Sequence, residues 1–148
     1  MKILFVQTGG TIDKDYPHTT KGWAFEFGEP GFLRILEKLK PSFNFETHTV
    51  FQKDSLEIND ADRQQLTEFI QQHSCNKIII THGTDTMIET ARYLSEYIAN
   101  KTIVITGAML PERFSNSEAP INLGCAIAAV QLQENGIFVA MHLSLIHI

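Results

Sequence analysis

At 148 residues, 43% hydrophobic and 20% charged, the chain is sized and composed for one folded domain with its own core. A net charge of −5, with no stretch that concentrates Lys and Arg, lacks the electrostatic footprint of a nucleic-acid-binding surface. Cys75 and Cys125 show no CxxC spacing, and no apolar run approaches a membrane span or a signal-peptide core; the expectation is reduced thiols and a cytoplasmic protein without membrane partners.

The predicted elements alternate between strand and helix. Lys2 to Gln7 reads as a short buried strand that runs directly into Thr8-Gly9-Gly10-Thr11. Asp13 to Glu29 is polar, with Gly and aromatic residues and no clear period. It is longer than an ordinary connection, which makes it a candidate lid, with a plain loop or short hairpin as the alternative. Gly31 to Leu39 has helical apolar spacing and stops before Pro41, and Phe43 to Phe51 alternates as a strand. Asn59 or Asp60 caps a helix running to Gln72. Lys77 to Ile80 is a strand, Met87 to Tyr97 a helix, and Thr102 to Thr106 an apolar strand. Ile121 to Gln133 is an Ala-rich helix, and Gly136 to Ala140 the strand after it. This order predicts an α/β fold of three layers, a mainly parallel sheet with helices on both faces.

Four loops then leave the carboxyl ends of strands, where open α/β sheets hold their ligands. They carry Thr8 to Thr11, Lys53-Asp54-Ser55, His82 to Asp85, and Gly107 to Pro111. A threonine hydroxyl is a poor nucleophile until a base takes its proton, and backbone N–H groups at glycine turns can hold a developing oxyanion. Any one loop alone has an ordinary reading: a strand-end Thr is usually a turn residue, and Asp85 could cap the helix that follows it. The glycine turn is neither GxGxxG nor a P-loop, which counts against a phosphate cradle. The histidines show no paired metal-ligand spacing, so His82 is read as a residue that positions its loop.

Taken together, Thr8-Gly9-Gly10-Thr11-Ile12, Lys53-Asp54-Ser55, Thr81-His82-Gly83-Thr84-Asp85-Thr86-Met87 and Thr106-Gly107-Ala108-Met109 resemble the bacterial-type L-asparaginase family, in family order. The spacing is similar to that of its short single-domain members and to the amino-terminal domain of the two-domain ones. The resemblance implies an amidohydrolase that releases ammonia from L-asparagine through an acyl-enzyme, with L-glutamine as the alternative substrate, no cofactor and no metal. It implies Thr11 as nucleophile, Thr84 paired with Asp85, and a catalytic lid tyrosine. Tyr16 is the candidate for that tyrosine, with Trp23 and Phe25 as competitors. It further implies substrate binding by Gly10, Ser55, Gly83, Thr84, Asp85 and Ala108, and a homo-oligomer.

The chain also departs from the family pattern. A lysine that works with the second threonine and aspartate lies a little beyond the strand ending at Met141, and this sequence ends before it. Glu118 stands where the pattern has Asp, a longer acid in a tight loop. After Met141 an Asn-Gly turn is expected, but the sequence reads His142-Leu143-Ser144-Leu145-Ile146-His147-Ile148. The division is accordingly read as an asparaginase-like domain over 1–141 and a non-native tail over 142–148. Two other classes compete with the hydrolase: a ligand-binding module that keeps the crevice without turnover, and an amide-handling subunit of a larger complex.

Overall fold

In the computed structural model, residues 1–18 and 24–148 are described. The chain begins with β1 (Lys2–Gly9), followed by β2 (Lys14–Asp15), β3 (Glu26–Phe27), α1 (Gly31–Leu39) and β4 (Asn44–Lys53). Then come α2 (Asp60–Gln72), β5 (Lys77–Thr81), α3 (Met87–Tyr97) and β6 (Thr102–Thr106), and last α4 (Ala119–Leu132), β7 (Gly136–Met141) and β8 (Ser144–His147). The main sheet has the order β4-β1-β5-β6-β7-β8; every pairing is parallel except that of β7 with β8.

The three layers follow from the period of two along the strands. Ile3, Phe5, Ile79, Val104 and Phe138 face α1 and α4, packing against Phe32, Leu36, Leu123 and Ala126. Leu4, Val6, Ile78, Ile80 and Ile105 face the other way, onto Leu66 and Ile70 of α2 and Ala91 and Leu94 of α3. The predicted three-layer α/β architecture is therefore the one observed. Asn59 caps α2, its side chain accepting from Asp62 N at 3.0 Å while Asp62 returns a bond to Asn59 N.

The connection order also makes a crevice. The chain leaving β1 goes to α1 on one face, whereas the neighbouring strands β4 and β5 send theirs to α2 and α3 on the other face. Connections that part to opposite faces open a cleft at the carboxyl ends of the strands between them. Thr11 stands at that point.

Two further segments form antiparallel pairs. The aperiodic stretch after Asp13 contains a two-stranded antiparallel ribbon, Lys14 opposite Phe27 and Asp15 opposite Glu26, which is the short-hairpin alternative. Residues 142–148 do not simply continue β7. They double back as β8, with Met141 opposite Ser144 and Ile148 N donating to Ile137 O at 2.9 Å.

Candidate active site

The turn that presents Thr11 is built by backbone contacts. Gly10 has φ of 84°, a region that side chains disfavour, and its N–H donates to Lys53 O at 3.0 Å. A Cβ on Gly10 would lie 2.4 Å from Gly83 N, so the first and third loops touch main chain to main chain. Asp13 N donates to Gly10 O at 3.1 Å and closes the short 3-10 turn Thr11–Asp13. Ile12 is fully buried and anchors the turn, while Thr11 at its head stays partly exposed.

His82 holds the third loop from behind. It is fully buried, with Nδ1 2.7 Å from Gly83 O and Nε2 2.8 Å from Thr90 Oγ1. Arg63 Nε donates to the same Thr90 oxygen at 3.0 Å, which leaves the hydroxyl proton free to point at His82 Nε2. The ring is then neutral, with its proton on Nδ1 and donated to Gly83 O. Burial pushes its pKa down to about 4, against the pull of the Gly83 bond and with the Arg63 charge adding to the depression. His82 thus fixes the backbone at Gly83, the loop-positioning role read from the sequence.

Gly83 in turn meets the second loop: a Cβ there would sit 2.7 Å from both Cβ and Oγ of Ser55. Thr86 Oγ1 donates to Ser55 O at 2.7 Å and ties the same two loops again. Thr86 is the N-cap residue of α3, and no side chain caps that helix. Asp85 is therefore not a helix cap; its carboxylate and the Thr84 side chain are exposed beside Thr11's loop. The side chains of Thr11, Thr84 and Asp85 make no hydrogen bond to another described residue, so in this open crevice the hydroxyls and the carboxylate are all available to a ligand.

The fourth loop is clamped by Glu118, whose two oxygens accept from Met109 N at 2.8 Å and Leu110 N at 3.1 Å. The longer acid is thus accommodated, reaching two amides at once. Burial raises the Glu118 pKa, but Met109 N–H, His142 Nε2 at 3.1 Å and Leu110 N–H outweigh it and hold the carboxyl below its usual range. Asn122 Nδ2 donates to Gly107 O at 2.9 Å, and Ala108 is buried between these two anchors.

Tyr16 and Phe25 pack together, ring centroids 5.6 Å apart, and Phe25 meets Phe114 edge-on at 5.4 Å. Trp23 lies outside the described residues. Tyr16 is exposed and its backbone N–H donates to Asp15 Oδ1 at 2.7 Å. Asp15 also pairs with Arg113 Nε at 2.9 Å, binding the ribbon stem to the loop after β6.

One acid escaped the sequence reading. Asp13 is fully buried directly behind the turn, and its Oδ1 accepts from Gly31 N at 2.7 Å. Burial raises its pKa to about 7, with Gly31 N–H, Gln7 and Arg34 opposing and Glu112 adding to the rise. Its only sequence signal is an acid immediately after the buried Ile12.

Comparison with known proteins points the same way as these loops. The amino-terminal asparaginase family model matches residues 2–147. The chain is 33% identical over 145 residues to the L-asparaginase of Thermococcus kodakarensis, covering 95% of this chain and 44% of that protein. It is 28% identical over 151 residues to the glutaminase-asparaginase of Acinetobacter glutaminasificans, covering 95% and 46%. The solved structure of the thermostable Thermococcus kodakarensis enzyme superposes with a TM-score of 0.82 at 32% identity, over 95% of this chain and 44% of that one. The chain spans less than half the length of these relatives.

Proposed function

The chain belongs to the asparaginase family, and from that membership we propose that it hydrolyses L-asparagine to L-aspartate and ammonia with Thr11 as the nucleophile. The observation that supports this reading is the close approach of Gly10 to Gly83 and of Gly83 to Ser55, which brings together the loops that carry Thr11, Ser55, Thr84 and Asp85. Thr11 Oγ1 attacks the side-chain amide carbon as its proton passes to the Thr84–Asp85 pair, which returns it to the departing nitrogen, and the displaced carbonyl electrons form an oxyanion. In this reading, backbone N–H groups at the head of the Thr11 turn and at the start of α3 stabilise it. The carbon–nitrogen bond then breaks as the nitrogen takes a proton and leaves as ammonia. Water cleaves the resulting ester, freeing aspartate and Thr11.

Asp85, an exposed carboxylate, pairs with the α-ammonium group of the substrate, and Ser55 holds its α-carboxylate. Tyr16, which packs against Phe25 beside the ribbon, is the lid tyrosine in this reading. The protein acts as a cytoplasmic homo-oligomer. L-Glutamine is the alternative substrate: one methylene is worth only about 1–3 kcal/mol of discrimination, and the Acinetobacter relative carries both names.

A second reading is favoured by where the lysines go. Lys14 pairs with Asp54 and Lys53 with Asp62, each at 2.9 Å, while Lys77 and Lys101 donate to residues at the opposite end of the strands. Among the described residues no lysine meets Thr84 or Asp85, and the second reading is the ligand-binding module that keeps the crevice without turnover. Ammonia release and calorimetric binding of L-aspartate, on wild type and Thr11→Ala, separate the two. The hydrolase reading expects turnover that Thr11→Ala abolishes while aspartate binding survives. Aspartate binding without ammonia from the wild type establishes the second reading, and unchanged turnover in Thr11→Ala removes Thr11 from the reaction.

A further inference from the structure

We infer that Asp13 is a positioning residue for Thr11, its carboxyl locking the nucleophile turn against the amino terminus of α1 while its backbone carbonyl ties the turn to the stem of the ribbon. The inference rests on the reading of Thr11 as nucleophile. Three segments meet at this one residue: its N–H donates to Gly10 O at 3.1 Å, its C=O accepts from Gly28 N at 3.0 Å, and its Oδ1 accepts from Gly31 N at 2.7 Å. The backbone of α1 lies hard against the turn, since a Cβ on Gly31 would sit 2.9 Å from Ile12 O and 3.5 Å from Asp13 Oδ1. A shift of the first turn of α1 therefore reaches Thr11, two residues away, through Asp13.

The strength of that lock depends on charge. The groups facing the carboxyl are Gln7 from β1, Arg34 from α1 and Glu112 from the loop after β6. Arg34 Nε is itself engaged by Glu112, so its positive charge is shared between two acids. As a neutral acid, Asp13 accepts from Gly31 N as an ordinary carbonyl, with its proton on Oδ2. Once ionised, it makes a charge-assisted bond to an N–H at the positive end of α1. The Gly31 bond is weaker below the transition and stronger above it, while the burial cost of the charge falls on the stability of the whole fold. Burial places that transition at about 7.

The test is an amide NMR titration of the full chain from about pH 5 to 9, run beside ammonia-release kinetics over the same range. Thr11, Ile12 and Gly31 amides are expected to share one inflection in the wild type and to lose it in Asp13→Asn, which keeps the acceptor but cannot ionise. The wild-type kcat is expected to carry the same inflection, with KM little changed. Asp13→Ala, which removes the acceptor, is expected to lower kcat by about 10-fold or more. A Thr11 amide that does not titrate, or a profile in Asp13→Asn matching wild type, overturns the inference even if Asp13→Ala does not fold. Absence of ammonia release from the wild type refutes the hydrolase reading instead, and the amide titration still decides the role of Asp13.

Discussion

Gly83 sits where three loops meet, with Gly10 pressed on its backbone from one side and Ser55 from the other. A single methyl group there has nowhere to go: 2.7 Å from Ser55 Cβ and Oγ is well inside contact distance. Gly83→Ala must push the Ser55 loop away from the Thr84 loop, which parts the groups assigned to the α-carboxylate and the α-ammonium of the substrate. Such a displacement is expected to lower kcat/KM about 100-fold while costing only about 1–3 kcal/mol of stability. Steady-state kinetics and urea unfolding on the same sample check both figures, and full activity in Gly83→Ala would show that the contact has no bearing on the site. The glycine was legible in the sequence as part of a recognisable motif, but its reason was not. That reason is a distance to Ser55, 28 residues earlier in the chain, and only the fold sets it. Asp13 was illegible for the same kind of reason. An acid after a strand reads as a surface turn residue, and its burial depends on α1 and Arg34 closing over it.

At the scale of elements, local pattern and fold agree wherever burial is periodic. α3 and β6 begin and end where the apolar spacing places them, because the faces that make the period are the faces that meet the sheet. α4 starts at Ala119, two residues before the predicted Ile121, since Pro120 needs no acceptor for an N–H in the first helical turn. β2 and β3 carry no readable period because each is only two residues long. In the β7–β8 hairpin residue type and backbone conflict. His142 and Leu143 form its two-residue turn with φ of 49° and 65°, a pairing that fits Asn-Gly far better than two bulky residues. His142 has compensation in its contacts to Asn122 and Glu118, whereas Leu143 is 77% exposed. Leu143→Gly is accordingly expected to raise stability by about 1 kcal/mol, read as a higher urea midpoint at unchanged slope. A lower midpoint would mean that the unfolded chain's added freedom outweighs the relieved turn.

Across the whole molecule, the two groups buried behind the crevice titrate in opposite senses. His82, at about 4 when folded against 6.5 for a free imidazole, takes up its proton more readily in the unfolded chain. Its contribution is complete above pH 6.5 and is lost as pH falls towards 4, roughly 3 kcal/mol in all. Asp13, at about 7 when folded against 3.8 when free, holds its proton more tightly in the folded chain. Its contribution is complete below pH 3.8 and is lost as pH rises to about 7, roughly 4 kcal/mol in all. Asp15 and Asp62 are held below their usual range and lose their partners' support only at more acid pH. Between pH 5 and 6 the two buried groups therefore each change stability by about 1.4 kcal/mol per pH unit, with opposite sign. Urea unfolding of the wild type is expected to be nearly independent of pH there. Asp13→Asn is expected to expose the rising slope of His82, and His82→Gln the falling slope of Asp13. A flat profile in both variants would mean that neither group titrates as its burial requires. If the slopes do oppose each other, the walls of the crevice keep their stability from pH 5 to 6, and the ionisation that tightens the Asp13–Gly31 bond begins above that range, towards about 7.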